Sequence, residues 1–328
     1  MRPPICSTFC SNWNRRGPLT DRVLRIGTRD SILATWQAEH VTGLLNALGH
    51  PTEIIFIKTE GDLVLDTPLP MLGGKGVFTK ALDDALIENR IDLAVHSFKD
   101  IPTRLPEGLT VAAVTEREDH RDVLVLRSGL HLNGDDDLPP GSVIATSSHR
   151  RGAQWLGRYP GHTLTDIRGN VHTRLKKLDA GNWTGAIFAA AGLIRVGLAD
   201  RISRVLDWML PAPAQGALAV MTRQDDNQLA AILQHIHHRE TELCTGAERQ
   251  FLNVLEGGCS APVGALAVIS DGRINLKTSV LSIDGTMKAD TELDAPLAEA
   301  ATIGKEAARR VLASEEGRRV TDSLRGPA

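Results

Sequence analysis

The sequence predicts an α/β protein in which two strand–helix units face each other across a cleft. A smaller α+β unit follows and carries a cysteine on a glycine loop. Three observations lead to this reading. From Val23 onward, β-branched runs alternate with helical patterns, as in a sheet of parallel strands joined by helices. Positively charged and hydroxyl residues recur just after those runs. Toward the C-terminus the pattern changes to short strands with Asp-Gly turns at Asp271-Gly272 and Asp284-Gly285, then an Ala- and Arg-rich helix.

In order, VLRIG (23–27) leads through TRDS (28–31) into the helical pattern ILATWQAEHVTGLLNALG, and EIIFIK (53–58) is a second strand. A glycine-rich stretch around 72–76 precedes the helix FTKALDDALIENR and the apolar strand IDLAVHS (91–97). GSVIAT (141–146), TLTDIR (163–168) and GAIFAAA (185–191) repeat the theme, each before a helical pattern. VTEREDHRD interrupts the periodicity near 114–122 and marks a crossing between units, whereas 127–141 reads as a polar loop within the second. After Pro213 the run ALAVMT (217–222) can pair back into the first sheet. The expected units are therefore 21–115 with 216–236, then 116–215, then 237–328. Residues 1–20, rich in Pro, Arg, Ser and Asn, are expected to form a disordered extension, with an organelle-targeting segment as the alternative.

A chain of 328 residues with 42% hydrophobic residues has ample material for several cores. Its 37 basic and 40 acidic side chains leave a formal charge of −3, so no chain-wide field favours nucleic acid, and any basic site must be local. Aromatic residues make up only 4%, which leaves few stacking platforms for single strands. No apolar run approaches a membrane helix, and the 4 cysteines (Cys6, Cys10, Cys244, Cys259) suggest neither a disulfide framework nor a zinc ribbon. A cytoplasmic monomer is expected, acting on a small molecule without nucleic-acid or membrane partners.

The cations carry most of the functional information. Arg29 and Ser31 follow the first strand, and Lys99 with Asp100 follows the strand ending in His96-Ser97. Ser147, Ser148, Arg150 and Arg151 lie in TSSHRRG, Arg168 closes TLTDIR with Arg174 two turns into the next helix, and Arg195 follows GAIFAAAGL. All are expected at carboxyl ends of strands, the edge where open α/β sheets bind ligands. A cation at a helix start opposes the helix dipole, so its recurrence there calls for an anion held jointly by backbone N–H groups, hydroxyls and guanidinium forks. One such arginine could be a solvated surface ion pair; repeated placement points to a ligand with several carboxylates or phosphates.

MLGGKGVF (71–78) has Gly73, Gly74 and Gly76 around Lys75 but lacks Walker spacing, so a flap over the cleft is the expectation. Asp100 either pairs with Lys99 or stabilises a cationic intermediate and binds N–H donors. His235, His237 and His238 lack further ligands at metal spacing, and no metal is expected. Cys259 in LEGGCSAP (255–262) sits on a glycine loop that leaves its sulfur approachable. It is either an inert small residue in a turn or a thiol that forms a covalent bond; with no Cys–His arrangement around it, the second reading is an anchor rather than a recycling nucleophile.

TRDS (28–31), GGKG (73–76), AVHSFKD (94–100), TSSHRRG (146–152), RGNVHTR (168–174), AAAGLIRVG (189–197), PAQGA (213–217) and LEGGCSAP (255–262) resemble, in order, the signatures of the porphobilinogen deaminase family, also called hydroxymethylbilane synthase. The resemblance runs from about residue 22 to 328. It implies two domains similar to periplasmic binding proteins and a third carrying the cysteine. It also implies a dipyrromethane cofactor joined by a thioether to Cys259, and four porphobilinogen units added stepwise with loss of ammonia before water releases the linear tetrapyrrole. By motif, Lys99, Ser148, Arg150, Arg151, Arg174 and Asp100 would bind cofactor, while Arg29, Ser31, Arg168, Arg195, Gln215 and Phe78 would meet substrate. Asp100 would hold pyrrole N–H groups and assist deamination through an azafulvene-like cation. The chain departs from the pattern at Met71, where lysine is common, at Glu60, a position often basic, and at Ala214, where glycine usually precedes Gln215. The rival reading is a non-catalytic two-domain protein that binds small anions; it would need neither Cys259 nor Asp100.

Overall fold

The computed structural model describes residues 22–58, 79–130, 138–255 and 262–325. The extension 1–20, the flap with Glu60, Met71, Lys75 and Phe78, and Cys259 lie outside the described residues. The chain begins with β1 (Leu24–Thr28), α1 (Ile32–Ala47), β2 (Thr52–Phe56), α2 (Lys80–Ile87), β3 (Leu93–Ser97) and β4 (Leu109–Val114). It crosses to β5 (Asp122–Leu126), β6 (Val143–Ala145), α3 (His149–Arg158), β7 (Thr163–Thr165), α4 (Val171–Ala180), β8 (Gly185–Ala189), α5 (Ala190–Arg195) and β9 (Arg204–Val205). It then returns through β10 (Leu218–Arg223) and α6 (Asn227–Leu233) to α7 (Arg239–Val254), β11 (Val263–Ser270), β12 (Arg273–Leu281), β13 (Lys288–Pro296), α8 (Ala300–Ala313) and α9 (Glu315–Arg325).

The first sheet has the order β2-β1-β3-β10-β4 and the second β7-β6-β8-β5-β9. Neither is wholly parallel, which corrects the sequence expectation. β10 runs antiparallel to β3 and β4, and β5 runs antiparallel to β8 and β9. The cause is topological: each sheet receives a strand as the chain arrives from the other unit, and an arriving strand needs no helical crossover. β4 and β5 themselves flank the charged segment that looked like an interruption. The apolar stretches Leu93–Val95 of β3 and Val123–Leu126 of β5 are buried on both faces, as strands covered by helices on each side should be. Leu24, Ile26, Val41 and Leu45 fill one side of the first sheet, and Leu82, Leu86, Ile91 and Phe98 lie in the core on its other side. Trp155 anchors one side of the second sheet, and Leu178 and Leu193 belong to the other.

The third sheet, β11-β12-β13, is antiparallel, and α7, α8 and α9 pack against it around Phe251, Leu276, Ile303 and Val311. The terminal helical pattern is broken at Ser314, whose Oγ accepts from Gly317 N at 3.0 Å and so starts α9. This unit touches both others closely. The hairpin tip at Gly285 lies against α3, so near that a Cβ there would sit 2.2 Å from the Ala153 carbonyl oxygen. Ala265 N donates to Pro211 O at 3.0 Å. Two of the three histidines have structural work: His238 caps α7 by accepting from Thr241 N, and His237 Nδ1 accepts from Val114 N at 3.2 Å.

Candidate active site

The two connections between the sheets run side by side. Glu118 N donates to Gly216 O at 3.2 Å, and Gln215 Nε2 donates to His120 O at 2.8 Å. The approach is too close for a side chain at Gly216, whose φ is +92° and whose Cβ would lie 2.4 Å from the Glu118 carbonyl oxygen. Ala214 is also left-handed, at φ +63°, a conformation that costs a non-glycine residue about 1–2 kcal/mol. That matches the departure noted in the sequence. Glu248 of α7 helps hold the alanine there: fully buried, it accepts from Ala214 N (2.6 Å), from Ala267 N (2.8 Å) and from both terminal nitrogens of Arg117.

Several sequence-singled residues meet at the carboxyl edges on either side of these connections. Arg29 directly follows β1, and Ser31 caps α1 by accepting from Ala34 N at 3.3 Å. A single 3-10 turn, Phe98–Asp100, follows β3 and presents Lys99 and the exposed Asp100. Across the cleft Ser148 caps α3, accepting from Arg151 N, and Arg150 and Arg151 stand in its first turn, both buried. Ser147 Oγ bonds Ile167 O and N, which ties the start of α3 to the segment before Arg168. The charge of Asp100 acts on Lys99, Arg151 and Arg174, so the carboxylate of one unit is electrostatically joined to the cations of the other.

Three placements differ from the sequence reading. Arg174 lies in the first turn of α4, because Asn170 caps that helix by accepting from Thr173 N at 2.9 Å. Arg195 closes α5 instead of standing at a strand end, a position that the helix dipole favours. Its Nη2 donates to Gly216 O at 2.6 Å, and its guanidinium lies 5.5 Å from the Trp36 ring centre. Gln215 does not line an open cleft: it is fully buried, accepting from Lys99 Nζ at 3.1 Å and donating to Asp122 Oδ1 at 3.0 Å.

Asp122 is the residue that sequence reasoning missed. Fully buried at the start of β5, it accepts from Arg150 Nη1 at 2.6 Å and Arg151 Nε at 2.9 Å. The antiparallel course of β5 explains the position, since Asp122 pairs with Ala189 at the carboxyl end of β8. The one available signal was REDHRD, a charged cluster just before an apolar run. Burial alone would raise the Asp122 carboxyl, but the charges of Arg150, Arg151 and Lys99 draw it well below the usual carboxylate range. The cations pay for their crowding. Burial, reinforced by Arg151, lowers Lys99 to about 8 and Arg174 to about 10, and burial lowers Arg195 to about 10. His96, buried on β3 and near the charge of Arg29, falls to about 4 and stays neutral. One buried carboxylate therefore faces several cations, and an anionic ligand would relieve the excess.

Family models for the dipyromethane cofactor binding domain and the C-terminal domain of porphobilinogen deaminase match residues 24–231 and 242–313. The chain belongs to the porphobilinogen deaminase family. It is 45% identical over 291 residues to a porphobilinogen deaminase of Chromobacterium violaceum, covering 88% of this chain and 93% of that protein. Among solved structures, a periplasmic substrate-binding protein of an ABC transporter from Coxiella burnetii covers 66% of this chain and 92% of its own at 14% identity, with a TM-score of 0.42. The BvgS periplasmic VFT2 domain of Bordetella pertussis covers 65% of this chain and 86% of its own at 18% identity, with a TM-score of 0.39. No helix among the described residues is long and apolar enough to cross a membrane.

Proposed function

We propose that the cation-lined carboxyl edges hold a dipyrromethane bound to Cys259 together with the porphobilinogen added to it. The enzyme is a transferase: it joins four porphobilinogen molecules head to tail with release of ammonia on that covalent primer, then hydrolytically releases hydroxymethylbilane for tetrapyrrole and haem biosynthesis. The observation that carries the assignment is the convergence of Lys99, beside the exposed Asp100, with Arg150 and Arg151 of the facing unit on one buried Gln215–Asp122 pair. The donor set fits a group bearing several carboxylates. In addition, Arg195 Nε is a buried donor with no hydrogen-bond partner among the described residues, as expected beside a site for an anion.

When bound, the dipyrromethane supplies the free pyrrole carbon on which the chain is extended. Lys99, Ser148, Arg150, Arg151 and Arg174 hold its acetate and propionate groups, and Arg29, Ser31, Arg168 and Arg195 hold those of the substrate. Phe78 covers the substrate. Gln215 acts behind them, fixing Lys99 relative to Asp122. Asp100 accepts from pyrrole N–H groups and stabilises the positive charge left on the substrate as its C–N bond breaks and ammonia departs with the electron pair. A merely anion-binding protein would have no use for that exposed carboxylate among cations.

The three sheets support a division into 21–115 with 216–236, 116–215 and 237–328. The scarcity of cysteines supports a reducing cytoplasmic setting, and a self-contained cleft supports a monomer.

Intact-protein mass spectrometry with aldehyde staining for pyrroles tests the assignment. Wild type should carry a covalent dipyrrole that Cys259→Ser lacks; wild type without any adduct after incubation with porphobilinogen would refute it. A second expectation concerns pH. Lys99 loses its charge as pH rises through about 8, so kcat/KM for an anionic substrate should fall on that alkaline limb. Lys99→Arg, which stays charged, should remove the limb, and an unchanged limb would exclude Lys99 as its source.

A further inference from the structure

A carboxylate that accepts no hydrogen bond at its own oxygens takes its orientation from the backbone that carries it. Asp100 meets that condition, being exposed and accepting no hydrogen bond from the described residues. Its orientation must come from the backbone of the turn that carries it. On one side that turn is held by Phe98 N, which donates to Ala217 O at 3.0 Å.

On the other side stands Arg249 of α7. Its Nη1 donates to Phe98 O at 3.2 Å and to Ile101 O at 2.8 Å, and its Nη2 donates to Pro102 O at 2.7 Å. The guanidinium also lies 4.4 Å from the centre of the buried Phe98 ring. One planar fork thus grips the backbone on both sides of Asp100. Lysine, with a point charge and no plane, cannot reproduce the fork or the stacking. The same helix ends at Val254, shortly before the cysteine loop in the sequence.

We propose that Arg249 is a positioning residue for the reaction: from the third unit, it sets the orientation of the Asp100 carboxylate through the backbone of residues 98–102. The proposal rests on the reading of Asp100 as the reacting carboxylate. Because Arg249 acts through the backbone of the turn and not on the Asp100 carboxylate itself, its loss acts on turnover and leaves binding nearly intact.

The experiment compares Arg249→Lys in the wild-type and Asp100→Glu backgrounds, reading dipyrrole attachment by intact mass, kcat and KM for porphobilinogen, and hydrogen exchange of the peptide spanning 98–102. Arg249→Lys should retain the adduct, keep KM within about 3-fold and lower kcat on the order of 10–100-fold, the scale of a carboxylate displaced by about an ångström. Exchange at 98–102 should rise. In the Asp100→Glu background, where the carboxylate has already left its alignment, the same replacement should change kcat by less than about 2–3-fold.

Equal losses in both backgrounds, or an unchanged kcat in Arg249→Lys, would overturn the proposal and leave the role of Asp100 standing. Full turnover in Asp100→Glu would instead overturn the reading of Asp100 and the proposal with it. If Arg249→Lys does not fold, Phe98→Leu removes only the stacked ring and is judged by the same two criteria.

Discussion

Asp100→Ala is expected to retain the covalent dipyrrole and to lose turnover by on the order of 10²–10⁴-fold, measured as porphobilinogen consumed per enzyme molecule. The separation of the two effects follows from the geometry. Attachment depends on Cys259 and on cations that bind carboxylates, and Asp100 is an exposed side chain whose removal opens no cavity. The breaking of the C–N bond, by contrast, leaves a cation amid Lys99, Arg151 and Arg174, whose charges disfavour it. Asp100 is the group that offsets them. Unchanged turnover would remove Asp100 from this role, and loss of the adduct would make it a binding residue only.

Asp122→Asn is expected to destabilise the fold by about 3–5 kcal/mol in denaturant titration, because it leaves buried arginines without their counter-charge. It should also reduce the fraction of molecules carrying the dipyrrole, since Arg150 and Arg151 lose the partner that orients them. The linkage is directional. The folded-state pKa of Asp122 is depressed, so its contribution is present above the ordinary carboxylate range and is lost as pH falls through the lowered value. Wild type should therefore show an acid-side loss of stability from this group that the asparagine variant lacks. Equal midpoints for the two proteins at neutral pH would show the pair to be energetically idle.

The cation-bearing motifs were legible because they follow recognisable strands: TRDS after β1, FKD after β3 and TSSHRR after β6 each fell at a carboxyl edge. Asp122 was not legible, and the reason is direction. A residue at the start of a strand reads as lying at the far edge of a parallel sheet; only the antiparallel return of β5 brings it to the ligand side. The search for an external anion to balance Arg150 and Arg151 therefore overlooked a carboxylate that the chain already supplies. Arg249 escaped, and Gln215 was assigned to substrate and not to its bridge between Lys99 and Asp122, for a related reason. Both act on backbone or side chains more than a hundred positions away, through contacts that no local pattern encodes. Arg195 was recognised as important but assigned to a strand end, since a six-residue helix leaves almost no periodicity to read.

The Gly285 hairpin against α3, the α7 side chains on the Asp100 turn and on Arg117, and the Gln215 bridge between the two sheets have a joint mechanical consequence. Three bodies that each brace the other two form a triangulated frame, and rotating one against another shears the third joint. Widening the cleft as a swinging door would break buried ion pairs and main-chain bonds together.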